Sequence, residues 1–282
     1  MKRILLLTDF SDKSWNAIVY AIEFYRNTPC KFVILNVYDL NAVNLVSTVS
    51  SQRVGHYYDA IKLESKNKLQ MILEDIQNSS PASHHFFKVI SKPGSLYKTL
   101  QSLTTKDRFD IILMGTKGTT GAKEIFIGST ALQVIRESLD CPILIIPEDA
   151  YYQPIHNIAF ATDFERVYYK SEITPILNLA KRSNAIIRMI HIYRKPKLSY
   201  VQKYNSSTLE AFFKNVKYDF HVIPEFSTIE KGIQAFIEEL DIDVLTMINY
   251  KHSFLERLTR EPIIKKITFH LQIPFLIIPS DN

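Results

Sequence analysis

The chain has 282 residues, an apolar fraction of 46% and a formal net charge of +5. The length predicts about two domains, and the apolar fraction gives each of them a core and excludes a disordered chain. The mild charge is spread along the sequence, which argues against a nucleic-acid surface, and apolar runs well short of the ~20 residues of a membrane span predict a soluble, cytoplasmic protein without membrane contact.

Apolar runs alternate with helical patterns through the first half of the chain. The predicted strands lie at residues 4–7, 32–37, 86–90, 111–114 and 143–146. Between them, helices are predicted at residues 14–25, 95–103 and 131–139, together with a long helix that carries Ile61, Leu69, Ile72 and Ile76 on one face. Strands that alternate with helices predict a parallel sheet covered on both faces.

The second half repeats the first. Residues 158–166, IAFATDFER, match residues 4–12, ILLLTDFSD, and residues 273–279, IPFLIIP, match residues 141–147, CPILIIP. We therefore predict a tandem duplication with domains at residues 1–149 and 154–282, called the first and second copy. The second copy is shorter, and we expect the missing residues mainly after its second strand, where the first copy has the long connection 39–51.

The strands of the second copy are predicted at residues 158–161, 186–192, 221–223, 244–248 and 275–278. A capping box formed by Ser227 and Glu230 predicts that a helix begins at Ser227. The order of elements is that of the first copy.

Glycine is rare in this chain but is concentrated after the fourth predicted strand. Four of the seven glycines lie there, at positions 115, 118, 121 and 128. Ser129 and Thr130 follow the last of them and precede a helical pattern. Since free amides at a helix start attract anions, a strand, a glycine loop and a helix in this order predict a phosphate site. The alternative is a mobile surface turn.

These features resemble the universal stress protein family in its tandem two-domain form. ATP-binding members of the family carry the motif G-x2-G-x9-G-S/T, and Gly115, Gly118, Gly128 and Ser129 have this spacing. The segment Thr8-Asp9-Phe10-Ser11 stands where the family's first strand ends. The resemblance implies an α/β fold of two doubly wound parallel sheets, adenine nucleotide alpha hydrolase-like and Rossmann-like, paired by pseudo-twofold symmetry across residues 143–146 and 275–278.

The resemblance also implies a ligand, which is an adenine nucleotide, ATP above all, with or without Mg²⁺. The residues it assigns to adenine and ribose are Thr8, Asp9 and Val37, with Met114 and Gly115 closing the sugar side. Those it assigns to the phosphates are Gly118, Gly128, Ser129 and Thr130. For Asp9 the alternative is a cap on the following helix, although Ser11 or Asp12 could provide that cap equally well.

The second copy departs from this pattern. Residues 249–254, NYKHSF, replace the glycine loop, and Arg260-Glu261-Pro262 stand at the helix start. Bulky side chains, a missing amide and a negative charge all oppose phosphate, so we expect the nucleotide in the first copy only. Asp163 is retained, which a helix cap would explain, and His191, at the position of Asn36, is expected to be a strand-packing histidine.

Cysteine and histidine usage predicts no metal site. Cys30 and Cys141 are too few and too isolated for a disulfide framework, and we expect buried thiols. His84 and His85 are adjacent on a predicted strand, where alternation would send them to opposite faces.

The sequence features are consistent with three functions. The favoured one is a nucleotide-binding regulatory protein whose two copies pair within the chain, with homodimer formation and an unidentified protein partner as further interactions. A slow ATP-hydrolysing enzyme is less favoured, because no G-x4-G-K-S/T loop occurs and no catalytic residue stands out. The third is a scaffold without nucleotide, in which the connection 39–51 recruits a partner.

Overall fold

The computed structural model describes residues 1–39, 51–79, 81–116, 129–136, 140–193, 197–224, 229–250 and 272–281. The chain divides into two compact units, Met1–Gly115 and Thr116–Asn282. Within the described ranges, every helix is too short or too polar to span a bilayer.

The first unit is a parallel sheet with connecting helices. Its elements are β1 (Lys2–Leu7), α1 (Asp12–Phe24), β2 (Cys30–Tyr38), α2 (Ser51–Asn78), β3 (His85–Pro93), α3 (Leu96–Lys106) and β4 (Ile111–Gly115). The strands are ordered β3-β2-β1-β4, and all neighbours run parallel. The chain therefore moves outward from β1 to β3 and then crosses to the other side of β1 for β4. This reversal is the topological switch point of a doubly wound sheet.

The second unit repeats the pattern and adds one antiparallel strand. Its elements are α4 (Ser129–Arg136), β5 (Ile143–Ile146), β6 (Asn157–Ala161), α5 (Lys170–Ser183), β7 (Ile186–Tyr193), α6 (Tyr200–Phe213), β8 (Tyr218–Pro224), α7 (Ile229–Glu239), β9 (Val244–Asn249) and β10 (Phe275–Pro279). The strand order is β5-β10-β9-β6-β7-β8. The parallel-dominated α/β fold predicted from the sequence is confirmed.

The predicted pairing between the last strands of the two copies is also confirmed. β5 and β10 are antiparallel, with Leu276 opposite Leu144 and Phe275 opposite Ile145. All three described pairs of this ladder are apolar and buried. β5 lies within the predicted first copy, residues 1–149, but belongs to the second compact unit.

The difference in length between the copies lies after the second strand, as predicted, and much of it is a shorter helix. α2 has 28 residues, whereas α6 has 14. The buried face of α2 contains Ser65, Leu69, Ile72 and Ile76, in agreement with the predicted helical spacing. Residues 40–50 of the predicted long connection lie outside the described residues.

An aspartate fastens the start of the fourth strand in each copy. Asp110 accepts hydrogen bonds from the amide of Arg3 at 2.8 Å and from Nζ of Lys2 at 2.6 Å. Asp243 accepts them from the amides of His156 and Asn157, at 2.6 Å and 2.8 Å. Partial burial would raise the pKa of Asp110, but the hydrogen bonds from Arg3 and Lys2 outweigh it and hold the pKa below its ordinary value.

Candidate functional site

The loop after β1 is held in one conformation by Thr8. Its amide donates to the carbonyl of Leu35 at 2.9 Å, and its carbonyl accepts from the side-chain amide of Asn36 at 2.8 Å. The Thr8 hydroxyl accepts from the amide of Phe10 at 3.0 Å and lies 3.0 Å from the hydroxyl of Ser14. Phe10 adopts a positive φ of 67°, which turns the chain sharply. Thr8, a predicted site residue, is thus buried and fixes the loop.

Asp9 presents its carboxylate at the surface of this loop. The residue is exposed, and its Oδ1 accepts from the amide of Ser11 at 3.1 Å and from the Ser11 hydroxyl. Partial burial opposes ionisation, but these hydrogen bonds outweigh it and lower the pKa of Asp9. The cap of α1 is Ser11, whose hydroxyl accepts from the amide of Ser14. Asp9 therefore does not cap the helix, and its carboxylate is presented as an anion.

A buried polar chain supports the loop from behind. The hydroxyl of Ser65 on α2 donates to Oδ1 of Asn36 at 2.8 Å and lies 2.7 Å from the hydroxyl of Ser91 on β3. Asn36 in turn holds the Thr8 carbonyl. No sequence motif marks Ser65, although its place on the apolar face of α2 with Leu69 is a signal for a buried position. Val37, the next residue along β2, is half-buried.

The end of β4 comes close to the start of α1. Met114 is buried, and a Cβ atom on Gly115 would lie only 2.4 Å from the carbonyl oxygen of Lys13. A side chain at Gly115 would therefore displace the helix start, which gives this glycine a packing role besides the ligand role predicted for it. Because β1 and β4 are parallel neighbours, with Leu6 opposite Leu113, Asp9 after β1 and Gly115 at the end of β4 lie at the same edge of the sheet.

The predicted phosphate residues are only in part described. Gly118 and Gly128 lie outside the described residues, as does Gly121. Ser129 and Thr130 open α4, and Thr130 is exposed. The first amides of a helix have no partner within it, so the start of α4 supplies donors of the kind that bind an anion.

The loop after β6 has the same conformation in the second copy. Phe164 has a φ of 56°, and its amide donates to the hydroxyl of Thr162 at 3.3 Å. The Thr162 amide donates to the carbonyl of Ile190 at 3.0 Å, and Nδ1 of His191 lies 3.0 Å from the Thr162 carbonyl oxygen. His191 thus takes the place of Asn36, and the prediction of a strand-packing histidine is confirmed.

In the second copy, however, the aspartate of the loop is covered. The hydroxyl of Tyr250 donates to Oδ1 of Asp163, which also accepts from the amide of Glu165 at 3.1 Å. Burial and the charge of Asp163 raise the pKa of Tyr250 far above its ordinary value, so the phenol stays protonated. The cap of α5 is Tyr169, so the helix cap that we expected for Asp163 is not its role.

An arginine closes the space beneath Tyr250. The guanidinium of Arg166 lies 4.7 Å from the ring centroid of Tyr250 and 5.5 Å from that of Tyr168. It pairs with Glu172 at 2.5 Å, and the Glu172 side chain is fully buried. Glu172 also accepts from the amides of Tyr169 and Asp281, at 2.9 Å and 3.0 Å. The region next to Tyr250 in the second copy is therefore filled by aromatic rings, an ion pair and main-chain hydrogen bonds.

The remaining histidine and cysteine predictions have mixed outcomes. Cys30 and Cys141 are buried free thiols, as expected. The rings of His84 and His85 lie only 4.9 Å apart, so the prediction of opposite faces is wrong, because His84 precedes β3 and strand alternation does not apply to it. Among the described residues no group of three or more metal-ligating side chains occurs.

Comparison with known proteins agrees with this description. Residues 1–147 match the model of the universal stress protein family. Over 98% of its length the chain is 25% identical to the universal stress protein Slr1230 of Synechocystis, of which it covers 99%. Over 51% of its length it is 26% identical to the universal stress protein MJ0577 of Methanocaldococcus jannaschii, of which it covers 94%. The fold is similar to a crystal structure of a universal stress protein from Archaeoglobus fulgidus, with a TM-score of 0.73, 18% identity and 98% of each chain covered.

Proposed function

The chain belongs to the universal stress protein family, and from this premise we propose that it is a cytoplasmic regulatory protein that binds one adenine nucleotide. ATP is the foremost candidate, with or without Mg²⁺. The first copy, residues 1–149, would hold the nucleotide, and the second copy, residues 154–282, would not.

One observation carries the proposal, namely the contrast between Asp9 and Asp163. The two aspartates stand in loops of the same conformation, and in the second copy the carboxylate accepts a hydrogen bond from the hydroxyl of Tyr250. In the first copy the equivalent carboxylate is exposed and ionised. The ribose of a nucleotide offers hydroxyl groups of the same kind, so Asp9 is suited to accept one from a ligand.

The location of Asp9 supports the same proposal. It follows β1 at the switch point of the first sheet, where ligands of doubly wound folds bind. The neighbouring strand β4 leads into the glycine motif, whose spacing through Gly118, Gly128 and Ser129 is that of the ATP-binding members of the family. In this reading Val37 and Met114 contact the adenine and sugar, and Ser129 and Thr130 contact the phosphates.

Among the described residues of the second copy, side chains cover the position that corresponds to the proposed ligand position of the first copy. The hydroxyl of Tyr250 donates a hydrogen bond to the carboxylate of Asp163, and the guanidinium of Arg166 packs against the tyrosine ring. Further along, Glu261 adds a negative charge and Pro262 removes an amide at the predicted helix start. The proposal therefore assigns one nucleotide to each chain.

Calorimetric titration of ATP, ADP and AMP, each with and without Mg²⁺, tests this function. The unaltered protein should bind with a stoichiometry of one, and the Gly128→Glu variant should show no binding while unfolding at an unchanged temperature. The absence of heat with all three nucleotides, together with no shift of the thermal unfolding midpoint on their addition, would leave a paired α/β scaffold and reject the proposal.

A further inference from the structure

We propose that the second copy positions the phosphate-binding end of the first copy by fastening helix α4 through Asn249. This inference rests on the proposed function. It assigns Asn249 a positioning role for the amides of Ser129 and Thr130, which belong to the same compact unit.

The contact is a hydrogen bond in the last described turn of the helix. The side-chain amide of Asn249 donates to the carbonyl oxygen of Ile135 at 2.8 Å. Ile135 lies in the last described turn of α4. The residue is buried, with 1% of its surface exposed. Buried carbonyl groups are normally hydrogen-bonded, and the bond from Asn249 ties this turn of α4 to the end of β9.

Asn249 is itself held on both sides. It is the last residue of β9 and pairs with Pro279 of the parallel neighbour β10. The next residue is Tyr250, whose hydroxyl bonds to Asp163 and whose ring stacks over the guanidinium of Arg166. Since Arg166 is paired with the buried Glu172, the segment that carries Asn249 has little freedom to move.

The opposite end of α4 carries the proposed phosphate contacts. Ser129 and Thr130 begin this helix of 8 residues, which spans ~12 Å at 1.5 Å per residue and moves as a rigid rod. A shift at its carboxyl end therefore shifts the amides at its start. Hydrogen bonds to phosphate weaken steeply when donor distances and angles change.

Asp163 belongs to the same series of contacts. Asp163 holds Tyr250, Tyr250 adjoins Asn249, and Asn249 holds α4. The loop after β6 thus supports helix α4.

The test combines calorimetry with hydrogen–deuterium exchange on Asn249→Ala and Asn249→Asp. The second variant keeps the side-chain volume while it removes the amide donor. The matched control is Asn157→Ala, because Asn157 on β6 also donates its side-chain amide to a backbone carbonyl, that of Asp241, at 3.2 Å. ATP is the titrant, and deuterium uptake is followed in peptides that cover residues 129–136.

Both Asn249 variants should bind ATP about tenfold more weakly at an unchanged stoichiometry, the effect expected for the loss of one hydrogen bond. Their α4 peptides should also take up deuterium faster, and Asn157→Ala should change neither quantity. Affinity and uptake that match those of Asn157→Ala would overturn the inference. If the unaltered protein binds no nucleotide, the proposed function is rejected. Deuterium uptake alone then tests whether Asn249 holds α4 in place. Faster uptake in both variants supports this role, and unchanged uptake rejects it.

Discussion

Tyr250 donates its hydroxyl hydrogen to the carboxylate of Asp163, although 87 positions separate the two residues in the sequence. They meet because β6 and β9 are parallel neighbours whose carboxyl ends lie at the same edge of the sheet. In the first copy the corresponding strands β1 and β4 are neighbours in the same way, and there Asp9 is exposed. In the second copy the side chain of Tyr250 therefore covers the aspartate, whereas in the first copy the carboxylate of Asp9 is exposed.

The two aspartates should differ in their effect on nucleotide binding. We expect Asp9→Asn to weaken ATP binding tenfold or more, since a hydrogen bond to a charged group contributes about 1.5–3 kcal/mol. Asp163→Asn retains an oxygen that can accept from Tyr250 and should bind ATP as the parent does. Calorimetric titration of both variants measures this, and equal losses in the two would count against a ligand role for Asp9.

Gly115 should tolerate no side chain. Gly115→Ala places a Cβ atom 2.4 Å from the backbone oxygen of Lys13, and we expect a loss of about 2 kcal/mol in the free energy of unfolding, as for overpacked cores. The control is Gly232→Ala in α7, where the nearest atom is Cδ1 of Ile192 at 3.0 Å, the end of a flexible side chain. Alanine is also the better helix former, so this variant should be neutral or more stable. Urea unfolding compares the two, and equal stabilities would show that the helix start moves freely.

The buried ion pair of the second copy should be costly to break. Glu172→Gln leaves the guanidinium of Arg166 without its charged partner, and we expect a loss of about 3 kcal/mol in the free energy of unfolding. Glu23→Gln is the control, because the Arg26–Glu23 pair lies at the surface. This substitution should leave the urea midpoint unchanged. A Glu172→Gln protein with the parent's midpoint would show that water reaches this pair.

The contribution of Asp110 should depend on pH in a definite direction. Its folded-state pKa lies below the ordinary value for an aspartate, so its stabilisation is fully present above about pH 5 and is lost as the pH falls below about 4 through the folded pKa. We expect Asp110→Asn to lower the free energy of unfolding by about 1 kcal/mol at pH 7, a modest loss because solvent screens this half-exposed carboxylate. This loss should become smaller as the pH is lowered towards 3.

Urea unfolding at pH 7, 5, 4 and 3 measures this dependence. Asp59→Asn, at an exposed position of α2, should show no difference from the parent at any of these values. A difference between parent and Asp110→Asn that stays constant from pH 7 to pH 3 contradicts the assignment.

The sequence was sufficient to predict the alternation of strands and helices and the pairing of β5 with β10. The alternation follows from short apolar runs bounded by turns, whereas the pairing was implied by the resemblance to the universal stress protein family. Helix α6 was not among the predicted elements. Its buried face includes Asn205 and Ser206 beside Leu209 and Phe213, so hydrophobic periodicity alone gives too weak a signal for it.

The candidate site was predictable only where a motif marks it. Asp9 and Gly115 stand out by their positions after strands, whereas Tyr250 and Arg166 do not, because their roles arise from the sheet order. The seven residues between Thr162 and Lys170 also delay the start of α5 compared with α1, which begins at Asp12. That longer loop brings in Arg166 and Tyr168, and no spacing rule predicts where its side chains pack.

The central claim is that one copy binds a nucleotide and the other does not. Equilibrium dialysis with radiolabelled ATP, carried to saturation, counts the sites in each chain directly. We predict one site for each chain, lost in Gly128→Glu. Two sites would contradict the closure of the second copy by Tyr250, and no sites would contradict nucleotide binding by the first.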